Sequence, residues 1–482
     1  MARQPNLLFL MADQMQGRVL DPGHPCRTPQ FDRLAARGVR FPRAYTPNPV
    51  CSPARASLMT GLLPHEHGVV QVTHCVAEGQ AELRESPHWA ERLAAAGYRT
   101  GYFGKWHVER SECPSRFGWQ VDGSLHSSRY GERRRELAGG SPPRFLEEVR
   151  VQGPEGWPPQ RLGGVLDRPA ERRGMGVAVS LAEDFLSEAL AGAQPWCCFV
   201  SVTEPHDPYD TTAAYRDLYP PAAISPAANW DHDLAAAPGL YRKAARVFAG
   251  LTLAEKQQLA ACYWGSISEI DTQFGRLLAK LEEAGATDET IVVLTSDHGD
   301  FLGAHGLYQK NVGAFEEAYQ VPLVVAGPGC AAGQVSWARV GLHDLCPTLL
   351  HLCGAEPVTT PAARSFAPVL ARPTDCADYQ QGYAEYFGTR HWWSQRVIWD
   401  GPWKLVWNGF DQDELYHLHL DPYELNNLID VPDLQGRVRA LMAQAYRTIA
   451  ATDDHPLGRL SYASLQLAPF GPGVADDASP AG

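Results

Sequence analysis

Four short apolar runs, each stopped abruptly by polar or charged residues, constrain this chain more than any other feature. Leu7–Met11 leads to Asp13-Gln14, and Arg99–Phe103 to Gly104-Lys105-Trp106-His107. Cys197–Val202 leads to Pro205-His206-Asp207-Pro208, and Ile291–Leu294 to Thr295-Ser296-Asp297-His298-Gly299-Asp300. Helical patterns separate the runs. Thr28-Pro29 opens a helix through Ala36 with Gly38 as its stop, and Pro87–Ala96 is closed by Gly97. Leu181–Leu190 and Leu253–Glu283 are further helices. Strands apolar on both faces that alternate with helices predict an α/β fold, a large mixed, mostly parallel sheet sandwiched by helices. In such sheets ligands bind beyond the carboxyl ends of the strands, where these polar residues fall.

At 482 residues the chain exceeds one ordinary core, so two units are expected. Residues 1–370 are expected to form the larger domain, with an irregular insertion at about 109–175 that is rich in Arg, Gly and Pro and includes Arg133-Arg134-Arg135. It reads as a solvated surface loop, or more sharply as a lid. Residues 371–482 form a smaller C-terminal α+β subdomain: an antiparallel sheet plus a helix at about Leu434–Ile449. Its hairpin signal is Ser394–Trp399 and Trp403–Trp407 joined through Asp400-Gly401-Pro402, and Pro472–Gly482 reads as a mobile tail.

A net charge of −13 argues against nucleic acid, which demands a basic face. No stretch approaches a membrane span, and Leu7–Ala12 is too short for a secretory signal, so a cytoplasmic location without membrane attachment is expected. The 11 cysteines are scattered and odd in number, unlike a disulfide framework, and no CxxC pair suggests zinc. Cys197 and Cys198 read as buried strand residues.

Cys51 is the exception. It precedes Ser52-Pro53-Ala54-Arg55 and Ala56-Ser57-Leu58-Met59-Thr60-Gly61. Pro53 suits the first turn of a helix, which sets Cys51 at a helix N-terminus. There the dipole and free N–H groups favour anions and lower a thiol's pKa. By itself such a cysteine reads as structural, and its spacing to Arg55 is too short for a phosphatase loop.

The pattern C-x-P-x-R followed by Thr-Gly resembles the type I sulfatases of the alkaline phosphatase superfamily, and the similarity runs from Pro5 to about Asp430 in the family's order. The resemblance implies an alkaline phosphatase-like fold and conversion of Cys51 to formylglycine by a formylglycine-generating enzyme, a transient partner that reads Cys51, Pro53 and Arg55. It implies that Asp13, Gln14, Asp297 and His298, with the modified Cys51, hold one divalent metal ion. Two carboxylates and an amide oxygen suit hard cations. Ca²⁺ comes first, with Mn²⁺, favoured by the imidazole, or Mg²⁺ as alternatives. Gln14 replaces a second aspartate common in sulfatases, a variant similar to choline sulfatases and phosphonate monoester hydrolases. Gln320 is a further departure, where relatives often carry Arg before Val-Pro.

Singly, Lys105 and Lys310 read as surface lysines and His206 as a loop histidine. By resemblance, Lys105 and Lys310 hold the sulfate oxygens and Arg55 helps to ionise the nucleophile. His206 protonates the departing oxygen, and His107 takes a proton from the aldehyde hydrate so that sulfate leaves. The expected activity is hydrolysis of a small-molecule sulfate ester. Phosphonate monoester or phosphodiester hydrolysis is the alternative, and a non-catalytic binding protein is disfavoured because the polar set is complete. Trp392 and Trp393, after Arg390-His391, read either as an aromatic wall for a quaternary ammonium or as packing between the C-terminal sheet and the main domain. The sequence leaves a homo-oligomer open.

Overall fold

The computed structural model describes residues 4–138, 142–310, 312–458 and 460–476. Asn6–Asp13 is buried along its whole length and pairs in parallel with Thr290–Ser296 on one side and Trp196–Pro205 on the other. Arg99–Gly104 joins Trp196–Pro205 in parallel, and Val121–Ser124 extends the sheet beyond it. On the other flank Leu323–Ala326 pairs antiparallel with Thr290–Ser296, followed by Gly38–Arg40 and Gln334–Val335. The eight-stranded sheet is therefore mixed and mostly parallel, as expected.

Alternate residues of the central strand serve opposite layers. Leu8 and Leu10 pack with the helices Gly174–Leu190 and Leu253–Glu283, whereas Leu7, Phe9 and Met11 face Trp89, Phe199 and the helix Leu345–Leu352. A strand buried on both faces has no polar side, which is why it reads as a continuous apolar run. Cys197 and Cys198 lie inside this core. Among the described residues, no helix is long and apolar enough to cross a membrane.

The segment expected as an irregular insertion is regular instead. Ser128–Ala138 is a helix, and its Arg133 pairs with Asp184 at 2.7 Å, so that part of the arginine run is docked on the next helix. Phe145–Val151 and Gln160–Leu166 form an antiparallel pair whose second strand runs parallel to Tyr209–Thr212. Glycine at 164 permits that pairing, because a Cβ there would lie 2.2 Å from the Glu147 carbonyl oxygen. The tail also needs correction: Pro472–Ala475 is a short 3₁₀ turn with Val474 buried against the last helix, while residues 477–482 lie outside the described residues.

Gln381–Tyr386, Gln395–Asp400, Trp403–Asn408 and Glu414–His417 form the separate four-stranded antiparallel sheet. Ile398 and Leu405 face the helix Gln435–Thr452, and Val397, Trp399 and Val406 face Tyr45, Phe315 and Tyr319 of the main body. Trp393 packs on Tyr386 and Phe410 at ring distances of 5.5 and 5.8 Å, whereas Trp392 is 54% exposed. The aromatic pair is thus divided between packing and solvent.

A buried polar network fastens this sheet. His65 gives Nδ1 to Glu385 at 2.6 Å and Nε2 to the Thr452 carbonyl at 3.0 Å, and Arg396 pairs with Asp454 at 2.6 Å. Burial pulls the His65 pKa down, but the hydrogen bond and charge of Glu385 outweigh it and raise the value to about 9. A folded-state pKa above the unfolded one contributes stability at low pH that fades as pH rises through the folded value. The stabilisation by His65 should therefore be complete below about pH 6.5 and lost through about pH 9. Urea midpoints of the wild type and His65→Gln should differ most near pH 6 and converge near pH 10. A gap that stays constant across that range would assign His65 a neutral role.

Candidate active site

Cys51 opens a ten-residue helix, Cys51–Thr60, in which every residue is buried, and Gly61 ends it in the left-handed conformation at φ 73°. Pro53 stands in the first turn, where its missing N–H costs nothing. The helix aims its first residue at the ends of two neighbouring strands. Cys51 Sγ lies 3.2 Å from His298 Nε2 and 3.7 Å from Asp13 Oδ1. Asp13 ends the central strand, and Asp297-His298 follow its parallel neighbour.

Arg55, one helical turn on and fully buried, organises the carboxylates. Its Nη2 donates to Asp13 Oδ2 at 2.9 Å, its Nε to Asp297 Oδ2 at 2.7 Å, and its Nη1 to the Lys105 carbonyl and Ser201 Oγ at 2.7 and 2.9 Å. One oxygen of each carboxylate is thereby committed. The other two, both named Oδ1, lie 3.8 and 3.7 Å from His298 Nε2. Donor atoms of Asp13, Cys51, Asp297 and His298 all fall within 4.8 Å of one another. Two hard oxygens, one imidazole nitrogen and the residue-51 atom, in a pocket walled by Arg55, fit one divalent cation.

Gln14 adjoins this set at φ 69°. Its backbone N–H donates to Asp297 Oδ1 at 3.0 Å, its Oε1 accepts from Lys310 Nζ at 2.5 Å, and its Nε2 donates to Asp207 at 3.1 Å and to Asp300. Tyr209 also donates to Asp300, at 2.8 Å. Burial foremost lifts the Asp300 carboxyl to about 7, although the Gln14 and Tyr209 hydrogen bonds oppose it. Gln320 lies away from this cluster, with Nε2 on the Pro42 carbonyl and its own carbonyl accepting from Gly17.

The cations converge as well. Lys105 Nζ reaches Asp13 Oδ2 at 2.5 Å, and Lys310 Nζ reaches His206 Nε2 at 2.5 Å. His107 is half-buried, and its backbone, at φ 54°, is held by Glu112. Burial raises the Cys51 pKa, but Lys105, Lys310, His298 and His107 together bring it well below the ordinary thiol value. Burial and Cys51 push the Asp13 carboxyl up, and Lys105, His206 and Arg55 hold it below the usual carboxylate range. Arg55, Lys105 and Lys310 bring three cations to Asp13, Asp297 and Cys51. All ten residues expected from the sequence meet here. The sequence reading missed Ser201, Asp300 with Tyr209, and the His74–Glu112 pair beside His107; of these only Ser201 and Asp300 stood in recognised runs.

Residues 5–355 match the family described as Sulfatase, and residues 303–450 match N-sulphoglucosamine sulphohydrolase, C-terminal. The chain belongs to the sulfatase family. A choline-sulfatase of Rhizobium meliloti (strain 1021) is 28% identical over 472 residues, covering 93% of this chain and 86% of the relative. An arylsulfatase of Clostridium perfringens (strain 13 / Type A) is 28% identical over 464 residues, covering 90% and 92%. The solved phosphonate monoester hydrolase from Silicibacter pomeroyi superposes with a TM-score of 0.77 at 25% identity, covering 94% of this chain and 97% of its own. This sulfatase is therefore a sulfuric ester hydrolase with the alkaline phosphatase superfamily fold. Sulfatases generally use a metal ion and a formylglycine, and the four-donor cluster is a site such an ion fits.

Proposed function

We propose that this sulfatase cleaves its ester with Cys51, converted to formylglycine, as the nucleophile. One divalent cation, Ca²⁺ in the first instance, is held by Asp13, Asp297, His298 and residue 51, with Gln14 adjoining. The observation that supports this most is the closeness of Cys51 Sγ to both His298 and Asp13. When present, the cation supplies Lewis acidity and the hydrated aldehyde an oxygen nucleophile at neutral pH.

The protein's own groups do the rest. Arg55 fixes Oδ2 of both carboxylates and leaves Oδ1 of each toward His298 Nε2. Lys105 and Lys310 bring two positive charges to the space beside residue 51, where a tetrahedral oxyanion gains charge in the transition state. Burial and Lys105 lower the His107 pKa, so its ring is neutral and able to take a proton from residue 51. His206 Nδ1 donates to the Asp207 carbonyl at 2.7 Å, which leaves Nε2 to share a proton with Lys310. That shared proton is the one available to the departing oxygen. General acid–base help of this kind is worth about 10²–10⁴-fold.

The test is the mass of the peptide containing Cys51 after co-expression with a formylglycine-generating enzyme. The expected peptide is lighter by the exchange of its CH₂–SH for an aldehyde, and aryl sulfate turnover rises with the converted fraction. Full turnover from protein whose Cys51 remains a thiol would end this reading. The phosphonate monoester reading draws support from Gln14 and from the structural likeness to the Silicibacter enzyme. Turnover of an aryl phosphonate monoester far above the matched sulfate would favour it.

A further inference from the structure

We infer that the loop between the strands Gln381–Tyr386 and Gln395–Asp400 borders the catalytic site on its His107 side, and that Arg390 on it selects esters whose alcohol part carries a second anionic group. This rests on the hydrolytic reading above and adds a substrate class to it.

A run of contacts joins His107, beside the nucleophile, to the loop. His107 is among the groups that lower the Cys51 thiol pKa, and the His74 ring lies parallel to His107 at 5.8 Å with an interplanar angle of 9°. Glu112 clamps the pair, accepting from His74 Nε2 and from the His107 backbone N–H, both at 2.9 Å. The residue after His74 is Cys75, whose Sγ accepts from Arg390 Nη2 at 3.4 Å. Gln71, 1% exposed, pins the loop from beneath: Nε2 donates to the Phe387 carbonyl at 2.8 Å, and Oε1 accepts from the Arg390 backbone N–H at 2.9 Å. Trp393 anchors the far end through Tyr386 and Phe410. A loop held at both ends keeps its intervening side chains in place.

Arg390, His391 and Trp392 are those side chains, and all three are exposed. Among the described residues no carboxylate lies within ion-pair distance of Arg390, so its guanidinium is uncompensated. The fork of N–H donors matches a carboxylate or a sulfate oxygen pair. A fixed positive charge at this position repels a quaternary ammonium, which opposes any attraction by the Trp392 face. Specificity is a difference between two affinities, and here one side chain acts on both.

Arg390 is exposed and its backbone contact to Gln71 does not depend on its side chain, so Arg390→Gln and Arg390→Glu should fold. The formylglycine-bearing holoenzyme and both variants are compared on three probes: 3-carboxyphenyl sulfate, 4-nitrophenyl sulfate and choline sulfate. The wild type is expected to prefer the carboxylated probe to choline sulfate in kcat/KM. Arg390→Gln should lower kcat/KM for the carboxylated probe about tenfold, or about 1.4 kcal/mol, mostly through KM. It should leave 4-nitrophenyl sulfate within about twofold, and Arg390→Glu should reverse the order of the charged probes. Equal effects on all three probes, or none on any, overturn the inference. If the wild type cleaves none of the sulfates but cleaves phenyl phosphonate monoesters, the sulfate reading fails. The same charge series built on phosphonates then decides Arg390.

Discussion

Asp297→Ala should abolish sulfate ester turnover, with a loss beyond the about 10²–10³-fold that removing a single oxyanion donor costs. The carboxylate serves two partners. Its Oδ1 belongs to the four-donor cluster, and its Oδ2 accepts from Arg55 Nε at 2.7 Å. Truncation therefore removes a cation ligand and leaves Nε of a fully buried guanidinium unpaired, and breaking a buried pair in this way costs about 3–5 kcal/mol. The two consequences are separable. Asp297→Asn keeps an acceptor for Arg55 and a shape that fills the site, but it removes the charge that a hard cation requires. Asn should fold with near-native denaturant resistance, bind metal weakly and turn over 4-nitrophenyl sulfate as poorly as Ala. Metal content and rate are measured on the same preparations. An Asn variant within tenfold of wild-type turnover would remove Asp297 from the cation site.

Most of that site was legible because of where parallel strands must end. A strand buried on both faces is an apolar run, and its carboxyl end is the first place the chain can return to polar chemistry. Asp13, Lys105, His206 and Asp297 each follow such a run, and the order of their strands in the sheet sets them side by side. Cys51 was legible by Pro53 and Arg55, which fix a helix start and a cation one turn later. The segment 109–175 misled for an equally physical reason. Phe145–Val151 is mostly exposed, with two glutamates in succession, and its partner strand contains Gly163-Gly164, so neither shows a clean period of two. Contacts that carry no local pattern were invisible. Gln71 and Arg390 stand 319 positions apart, and only folding shows that one holds the other.

Lys404→Ala should cost about 3–5 kcal/mol of stability while leaving turnover per folded molecule little changed. The Lys404 side chain is wholly buried between Glu316 Oε1 at 3.0 Å and Glu424 Oε1 at 2.7 Å. Burial lifts Glu424 to about 8 in spite of Lys404, whereas Glu316 is drawn below its ordinary value by Lys404, Tyr45, Arg339 and Trp399, which together overcome its burial. The cluster thus sets one ammonium between two carboxyl groups, of which Glu316 ionises the more readily. Deleting the lysine strands the Glu316 charge on the Tyr45 and Trp399 donors, at 2.6 and 3.0 Å, in a largely buried site. It also cuts a bond between the C-terminal sheet and the Glu316–Tyr319 turn of the main body. Lys404→Met combined with Glu316→Gln removes both charges and restores apolar volume, so it should recover most of the loss. Urea unfolding of the three proteins is the measurement. A Lys404→Ala protein within about 1 kcal/mol of wild type would mean that the ammonium's desolvation already cancels its pairing, and that the sheet is held by the packing of Trp399 and Val397 alone.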